Sequence, residues 1–554
     1  MGPGIFDKLQ AIPGRYAVIA GEQPVLLTMF AILLLAGVLA AIVAILRGRA
    51  HEAYWWTVGV IFADFALSWG DDTYTHVFRI AALADQLRSG APGLMLVDPA
   101  NGEALPTFVY YSLLPYILPV LLDLAGLPAM LAFKATGALQ FVVMAIGVGA
   151  LIERTAPEQR EGRRSEYLVA LLFVSAAYVY ALWCTRAALA EFWVASLIPW
   201  VARYLVVANG QRMLVMLFAL QAAAHPIVLL HGLICEFLVA YALTRTPLLD
   251  MIRRACGPLL LALSLASPFW LPQFVWQDLI LGPGGLPVRF ADSFLTAGGL
   301  VDPRSVRSIG IWLPLGLLAV VLTARLRLSA RFWLLAGAAL ATVAIETVYL
   351  RSVAVHVPLL SLSLFVWRLL FAAAFLAFGA LLVGVRETPA PRFDPLAPLA
   401  ILSVLAMAWV MASLAPAYLR KLAVSGDDAH ARAQHHDSRP VWGVREFLPN
   451  YARVPRLCPA EAEVEVTSYR ALRGGVTSQH AFLAVPLAPL GVVDYLAGTT
   501  SLVPAACGDN LILGPVAPGT RLQVSERWLD GLLLIRLLSL LAIVLLPFVL
   551  RRRR

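Results

Sequence analysis

The sequence predicts an all-α polytopic membrane protein with a small β-rich domain outside the membrane. Of its 554 residues, 60% are hydrophobic and 14% are charged, and the mean hydropathy is +0.78; a soluble domain carries about 25% charged residues. Apolar runs of roughly 20 residues, long enough to cross a hydrocarbon core of about 30 Å, recur along the chain. One long hydrophilic segment, residues 415–530, interrupts these runs.

The apolar runs predict about 12–13 transmembrane helices. They lie at 23–46, 54–69, 131–152, 167–183, 187–207, 213–223, 227–243, 258–270, 309–323, 332–350, 365–385, 395–414 and 532–550. We therefore divide the chain into a transmembrane module (1–414, with a first external loop at 70–130), the hydrophilic domain (415–530), and a last helix with a basic tail (531–554).

Arginines cluster in the short loops between these runs, which is typical of the cytoplasmic side. The clusters contain Arg47, Arg49, Arg154, Arg160, Arg163, Arg164, Arg245, Arg253, Arg254, Arg325, Arg327, Arg331 and the tail Arg551 to Arg554. The formal charge of +9 is thus explained by topology and does not indicate nucleic-acid binding. The N-terminal stretch lacks a cleavable-signal pattern, so we expect the first long helix to stay as an anchor.

Residues 106–131 are apolar but are predicted not to cross the membrane. Pro115 and Pro119 interrupt helical hydrogen bonding, and Tyr110, Tyr111 and Tyr116 favour the headgroup region. Counting this segment as a span would also contradict the arginine map. We interpret it as a re-entrant or interfacial helix on the outer face.

The first external loop begins with two adjacent carboxylates, Asp71 and Asp72, followed by His76. The stretch after them is amphipathic and is predicted to lie on the membrane as a helix ending at Gly90. Asp72 and His76 are then one turn apart on one face, where a carboxylate and an imidazole can act as a general base or orient one. Capping of the helix by the acids explains the same residues, so both interpretations stay open.

Charged residues near the outer ends of spans are the second candidate group, since burying an unpaired charge is costly. Arg186 and Glu191 begin one helix, Arg368 lies just inside another, and His225 precedes a helix-starting proline. Either arginine could bind a phosphate. Snorkelling, or a structural ion pair with Glu191, is the alternative for each arginine, and a helix-junction role is the alternative for His225.

The hydrophilic domain contains runs such as "AEVEVTSY", "HAFLAVPL" and "TRLQVSERW", bounded by Gly and Pro, which predict strands. Cys458 and Cys507 both lie in it, so a disulfide between them is plausible if the domain is exported. The other cysteines, Cys184, Cys235 and Cys256, are interpreted as small hydrophobic residues.

Three further acids, Asp64, Glu236 and Glu346, lie within predicted spans, as in proton or ion pathways. They favour a transporter or flippase of a lipid-linked substrate as an alternative function. No metal-ligand spacing, phosphate-binding glycine loop, nucleophile elbow or nucleic-acid patch is evident in the sequence. Nor is the internal pseudo-symmetry that a transporter commonly shows.

Taken in order, these elements resemble the GT-C superfamily of integral-membrane glycosyltransferases, and within it a bacterial branch labelled "6-pyruvoyl-tetrahydropterin synthase-related membrane proteins". Five stretches resemble family motifs. They are Asp72 and His76 followed by "VFRIAALADQLRSG", then "NGEALPTFVYYSLLPY", "TRAALAEFW" with Ala187 where the family has glycine, His225-Pro226, and "FVWRLL" with Val366 where the family has proline. An "EFLP" at 446–449 is similar to the family's "EYLP".

The resemblance implies a GT-C-like fold in the inner membrane of a bacterium, with the active site and the β-rich domain facing the periplasm. It implies an inverting transfer of a sugar, hexosyl or pentosyl, from a polyprenyl-phosphate donor to a glycan or lipid acceptor of the cell envelope. Asp72 would be the general base, with Asp71 as the alternative because the doublet leaves the register open. Residues around the donor would be Arg368, Arg186, Glu191, His225, Lys134, Tyr110 and Tyr111.

The resemblance implies no certain cofactor and leaves a divalent cation open, since many members of the superfamily work without metal and others require one. Membrane lipids are the remaining expected partners, and no nucleic acid is expected. The missing glycine and proline, together with an additional N-terminal helix, leave a non-catalytic GT-C-like scaffold as a third hypothesis.

Overall fold

The structure is a computed structural model. It describes residues 24–68, 70, 72–90, 93–97, 104–105, 107–155, 163–184, 186–207, 210–244, 246–275, 293–301, 308–357, 360, 366–388, 394–414, 457–486, 493–507 and 510–549. Asp71, the Tyr110 side chain, the stretch 446–449 and the arginine tail lie outside the described residues. The predicted fold class, an all-α polytopic membrane protein with a small β-rich domain, is confirmed.

Helices account for most of the described chain. They are α1 (Pro24–Leu46), α2 (Ala50–Leu67), α3 (Thr73–Arg88), α4 (Thr107–Tyr110), α5 (Leu114–Leu124), α6 (Ala129–Thr155), α7 (Arg163–Val174), α8 (Ala177–Cys184), α9 (Leu189–Leu205), α10 (Gln211–Ala224), α11 (Pro226–Thr244), α12 (Leu248–Val275), α13 (Ala297–Val301), α14 (Trp312–Thr323), α15 (Ala330–Ile345), α16 (Arg351–Ala354), α17 (Leu370–Glu387), α18 (Leu396–Leu414), α19 (Tyr469–Gly474) and α20 (Arg527–Val549). Short 3-10 turns lie at Val348–Leu350, Val366–Leu369 and Glu461–Glu463.

A helix is found at every predicted span. Eight helical segments in the described chain are long and apolar enough to cross a membrane by length and composition. They are Thr28–Leu46, Ala129–Thr155, Arg163–Cys184, Pro226–Thr244, Leu248–Gln273, Trp367–Glu387, Leu396–Leu414 and Leu529–Phe548. Two of the arginine-rich loops meet, since a Cβ added at Gly48 would lie 3.6 Å from Arg164 Nη1.

The first external loop does not cross the bundle, in agreement with the interpretation of residues 106–131. Its apolar part is broken after α4, and α5 has 11 residues, or about 16 Å of helix, which is too short for a hydrocarbon core of about 30 Å. A small hairpin of β1 (Leu96–Val97) and β2 (Ala104–Leu105) completes the described part of this loop.

The hydrophilic segment forms two four-stranded sheets. The remaining strands are β3 (Val464–Val466), β4 (Val476–Thr477), β5 (Phe482–Pro486), β6 (Asp494–Ala497), β7 (Thr500–Leu502), β8 (Ala505–Cys507), β9 (Asn510–Leu513) and β10 (Arg521–Ser525). One sheet has the order β4-β10-β6-β7 and the other β3-β5-β9-β8. All pairings are antiparallel except β3 with β5. Cys458 and Cys507 form a disulfide, which ties the start of the described domain to the end of β8.

The β-rich domain contacts the first external loop. Within it, Glu526 accepts hydrogen bonds from Tyr469 at 2.7 Å and forms an ion pair with Arg473 at 2.9 Å. This pair faces Gly93 of the loop, where an added Cβ would lie 3.2 Å from the Arg473 guanidinium. The domain therefore packs on the loop that carries the candidate site.

Arg536 fixes the last helix to the bundle although its guanidinium lies in an apolar environment. Its Nε donates to the Pro268 carbonyl at 2.8 Å, which is free because Pro272, one turn later in α12, has no N–H. The two Nη groups donate to the carbonyls of Phe108 and Val109 in α4. A buried cation with this many carbonyl partners joins α20, α12 and the first external loop.

Candidate active site

Asp72 is held in place by its backbone against the turn between α8 and α9. Its N–H donates to the Arg186 carbonyl at 3.0 Å. Gly70 makes this approach possible, since a Cβ at position 70 would lie 2.4 Å from the Ala187 nitrogen. Asp72 occupies the N-cap position of α3, but among the described residues its side chain makes no capping hydrogen bond. The capping interpretation thus explains where Asp72 lies and not what its carboxylate does.

The turn that receives Asp72 contains a strained residue, Ala187, with φ of +58°. This left-handed conformation favours glycine and costs an alanine about 1 kcal/mol. The turn is closed by hydrogen bonds from the Arg186 nitrogen to the Ala181 carbonyl and from the Ala187 nitrogen to the Trp183 carbonyl, at 3.0 and 2.7 Å. The departure from the family's glycine therefore changes the residue while the backbone keeps a glycine-like conformation.

Two arginines from distant parts of the chain meet on one carboxylate. Arg186 donates through Nη1 and Nη2 to the two oxygens of Glu191, at 2.7 and 3.0 Å. Arg368 donates through Nε to Glu191 Oε1 at 2.7 Å. The side chains of Arg186, Arg368 and Glu191 are only 11%, 10% and 7% exposed. We call them the arginine–glutamate cluster; its formal charge is one net positive.

Asp72 lies in the field of one arginine of this cluster and of a third arginine on α3. Its carboxylate interacts electrostatically with Arg186, with Arg79 of α3 and with the Tyr111 ring system. The site therefore has one candidate base and a neighbouring excess of positive charge.

His76 belongs to a hydrogen-bonded chain on the other side of Asp72. Its Nδ1 lies 2.6 Å from the Tyr116 hydroxyl, and Arg79 donates to the same hydroxyl oxygen at 3.0 Å. The Tyr116 oxygen accepts from Arg79, which has only donors, and in the tautomer of His76 with its proton on Nε2 the Tyr116 hydroxyl donates to Nδ1. Among the described residues Nε2 has no hydrogen-bond partner, although the Ala187 backbone favours a proton there.

The environment keeps His76 neutral. Burial lowers the pKa of its imidazole well below the ordinary value, and the charge of Arg79 lowers it further. The ring stacks on Phe133 at 5.6 Å between centroids, and Phe133 stacks in turn on Trp183 at 4.7 Å. His76 thus holds Tyr116 in place and, through the Tyr116 hydroxyl, Arg79. Because its ring is neutral, it has no imidazolium proton to donate at neutral pH.

Two tyrosines of the first external loop, Tyr110 and Tyr111, were expected near the donor, and the structure describes the side chain of Tyr111 only. Tyr111 lies under Arg79, whose Cζ is 4.5 Å from the ring centroid, a cation–π contact. It therefore borders the site. Tyr110 ends α4, and its side chain is not among those that the structure describes.

His225 borders the arginine–glutamate cluster from the junction of α10 and α11. It interacts electrostatically with Arg368 and Glu191. Its Nδ1 also accepts a long hydrogen bond from the Val228 nitrogen, at 3.4 Å, as expected of a helix-junction residue. The geometry is compatible with both roles that the sequence left open.

Lys134 lies apart from the arginines. Its Nζ donates to the Ser68 carbonyl at 2.8 Å, and its charge interacts with Asp64. Asp64 in turn accepts a hydrogen bond from Tyr180 at 2.8 Å. These residues form a buried polar group under the end of α2, so Lys134 supports the chain that leads to Asp72. The expected place of Lys134 near the donor stays a prediction.

Two residues of the site were not proposed as site residues from the sequence: Arg79 and Tyr116. Arg79 looked like the solvated face of an amphipathic helix, and Tyr116 looked like a headgroup anchor. The one available signal was the spacing of His76 and Arg79, three residues apart and thus on one helix face.

The described residues do not gather a ligand set for a divalent cation. They contain no group of three or more His, Cys, Asp or Glu side chains able to hold a metal ion. Glu191 gives both oxygens to arginines, which leaves Asp72 as the acid of the described site. Its neighbour Asp71 lies outside the described residues.

Comparisons with known proteins find similarity among solved structures. No family model matches the chain, and no curated protein does. Among solved structures, the arabinofuranosyltransferase AftD from Mycobacteria matches with a TM-score of 0.41 and 14% sequence identity. The match covers 84% of this chain and 40% of AftD, so the chain spans less than half the length of that protein.

Proposed function

We propose that the protein is a membrane glycosyltransferase of the GT-C type. It takes a sugar from a polyprenyl-phosphate donor and passes it, with inversion, to a glycan or lipid acceptor of the cell envelope on the periplasmic face. The proposal rests on the motif resemblance and on one structural observation. A carboxylate held by its backbone, Asp72, lies beside a buried cluster of two arginines and one glutamate with a net positive charge.

Asp72 acts as the general base in this proposal. Its carboxylate takes the proton from the acceptor hydroxyl while that oxygen attacks the anomeric carbon of the donor sugar. The bond between the anomeric carbon and the phosphate oxygen breaks, and the polyprenyl phosphate leaves with the electron pair. Attack from the side opposite the leaving group inverts the anomeric configuration.

The arginine–glutamate cluster stabilises the leaving phosphate, which gains negative charge in the transition state. Glu191 neutralises one of the two arginines and fixes both, so that the guanidinium groups need not reorganise during the reaction. Burial strengthens this stabilisation, because charges interact more strongly where water is excluded. Arg368 and Arg186 are the phosphate-binding residues in this proposal.

Sugar transfer by purified protein in lipid nanodiscs tests the role of Asp72. The donor is undecaprenyl phosphate carrying a pentose or a hexose, and the acceptor is an extract of envelope glycans and lipids. We expect Asp72→Asn to lower turnover by about 10²–10⁴-fold, the range of general-base catalysis, and to leave donor binding unchanged.

Two further variants sharpen this test. Asp85→Asn is the matched control, because Asp85 lies on α3 with its side chain 47% exposed and pairs with Arg88; it should keep full turnover. Asp71→Asn separates the two acids of the doublet. Full turnover in Asp72→Asn with an intact fold would refute the assignment of Asp72, and loss in Asp71→Asn alone would move the role to Asp71.

A further inference from the structure

Two buried polar side chains near the arginine–glutamate cluster have unsatisfied hydrogen-bonding groups. Glu346 is 0% exposed and Tyr178 is 1% exposed. Neither carboxyl oxygen of Glu346, nor the Tyr178 hydroxyl, has a hydrogen-bond partner among the described residues. Burying such groups unpartnered costs about 1–3 kcal/mol each, and native proteins satisfy the large majority of them. A carboxyl and a hydroxyl of this kind indicate a ligand.

Glu346 is held by its backbone. It follows the last residue of α15 as its C-cap, and its carbonyl accepts a hydrogen bond from the Leu295 nitrogen at 2.8 Å. The Leu295 carbonyl accepts in turn from the Val348 nitrogen at 2.9 Å. This short bridge between two segments fixes the direction in which the carboxyl group leaves the chain.

Tyr178 is fixed equally well. It lies in the first turn of α8, and the Gly310 backbone packs on the preceding residue, where an added Cβ would lie 2.9 Å from the Ala177 Cβ. Its hydroxyl is within electrostatic range of the Glu346 carboxyl and of all three members of the arginine–glutamate cluster. The two unsatisfied side chains and the cluster therefore border one polar region inside the bundle.

The composition of this region decides the chemistry of its ligand. A metal ion would need several free anionic ligands, whereas Glu191 already gives both oxygens to arginines and Glu346 supplies one carboxyl group. An apolar ligand would leave the Glu346 and Tyr178 groups unsatisfied. A sugar ring suits them, since its hydroxyls can both donate to and accept from a carboxyl group and a tyrosine hydroxyl.

We propose that Glu346 and Tyr178 form the subsite that binds the hydroxyl groups of the donor sugar. This inference rests on the proposed function, because it places the sugar next to the phosphate that Arg368 and Arg186 bind. The subsite distinguishes a glycosylated lipid carrier from the bare carrier. It also selects among sugars by the number and positions of their hydroxyls.

Binding measurements on the full chain in nanodiscs test the subsite. The probes are undecaprenyl phosphate alone and undecaprenyl phosphate carrying a pentose or a hexose. We expect Glu346→Leu to weaken binding of the preferred glycosylated lipid by about 2–10-fold, the size of an ordinary hydrogen bond, and Tyr178→Phe to weaken it by the same factor or less. Neither variant should change binding of bare undecaprenyl phosphate.

Glu236→Gln is the matched control. Glu236 is also 0% exposed and has one unsatisfied oxygen among the described residues. Its other oxygen accepts a hydrogen bond from Gln221 at 2.7 Å, and neither Tyr178 nor the arginine–glutamate cluster is among the groups that act on it, so binding of all three lipids should stay at the wild-type level. Unfolding is measured in parallel. Replacing an unsatisfied buried carboxyl by leucine should leave the melting temperature unchanged or raise it.

The outcomes separate the subsite from the function on which it rests. Wild-type affinity of Glu346→Leu for the glycosylated lipids would overturn the subsite alone, and so would a lowered melting temperature, which would show that Glu346 has a structural partner within the chain. Equal loss of bare and glycosylated lipid would also overturn it. If the wild type binds none of the three lipids, the proposed function fails and the subsite fails with it.

Discussion

Glu191 shows most clearly how single residues hold the site. A carboxylate shared by Arg186 and Arg368 compensates two buried charges, and the contact with Arg368 joins residues 177 positions apart. Truncating one partner of such a group leaves uncompensated charge in a poorly solvated place. The residue is thus required for the fold of the site as well as for its electrostatics.

We expect Glu191→Gln to lower the free energy of unfolding by about 3–5 kcal/mol, as breaking a buried ion pair does. The matched control is Glu52→Gln, whose partner Arg49 lies at 3.5 Å with both side chains more than half exposed; about 1 kcal/mol or less should be lost there. Denaturant unfolding in nanodiscs measures both. Equal effects of the two variants would contradict the account of the cluster.

The His76 environment predicts a pH dependence of stability. The pKa of its imidazole in the folded protein lies well below that in the unfolded chain, first through burial and then through Arg79, with Arg186 adding to the effect and Glu191 opposing it. Below about pH 6.5, the ordinary value, the unfolded chain binds the proton and the folded chain does not. This contribution to stability is therefore present above that pH and is lost progressively as the pH falls.

Comparison of wild type with His76→Phe between pH 7.5 and pH 5, roughly one unit or more on each side of the ordinary imidazole value, tests this. The variant should show a smaller loss of stability on acidification, because one proton-binding group of the unfolded chain has been removed. Parallel curves for the two proteins would refute the effect.

At the scale of elements, the turn between α8 and α9 positions the loop that carries Asp72. The positive φ of Ala187 is maintained by the hydrogen bonds that close the turn, and Gly70 packs against it. We expect Ala187→Gly to raise the free energy of unfolding by at most about 1 kcal/mol, since relief of strain is partly offset by the greater freedom of glycine in the unfolded chain. Ala188→Gly, at φ of −77°, should lower stability instead. A loss of stability in both variants would contradict the backbone strain at Ala187.

The last helix is joined to the first external loop through Arg536. Removing the Arg536 guanidinium leaves the carbonyls of Pro268, Phe108 and Val109 with fewer hydrogen-bond partners. We therefore expect Arg536→Met to lower the free energy of unfolding by about 2–3 kcal/mol or more and to loosen α4. The exposed Arg527 at the start of the same helix offers a control, with an expected change within about 0.5 kcal/mol. Hydrogen exchange over Thr107–Tyr110 reports the loosening, and unchanged exchange there would argue against the connection.

At the scale of the whole molecule, the sequence predicted what depends on composition and local pattern. Apolar length and arginine distribution predicted the spans, and Pro115 and Pro119 predicted that the segment around them would not cross. The strands of the hydrophilic domain followed from their bounded β-branched runs. Asp72 was proposed from residue type, spacing and resemblance, and its role stays a prediction.

Contacts between distant segments could not be predicted in this way. His76 meets Tyr116 across 40 positions, and its nearest polar partner was expected to be Asp72. Lys134 supports Ser68 and the end of α2, because the packing of α6 against α2 brings it there. Glu346 was interpreted as part of an ion pathway, and only its burial and unsatisfied oxygens indicate a ligand site. Such features depend on tertiary packing, which residue patterns do not encode locally.

The central claim is that the arginine–glutamate cluster binds the donor phosphate while Asp72 faces the sugar. A cryo-EM structure of the protein with undecaprenyl phosphate carrying a pentose or a hexose tests this most directly. We predict a phosphate oxygen at about 2.7–2.9 Å from a guanidinium nitrogen of Arg368 or Arg186, with the Asp72 carboxylate on the opposite side of the anomeric carbon. A phosphate bound away from both arginines, with Asp72 turned from the sugar, would contradict the claim.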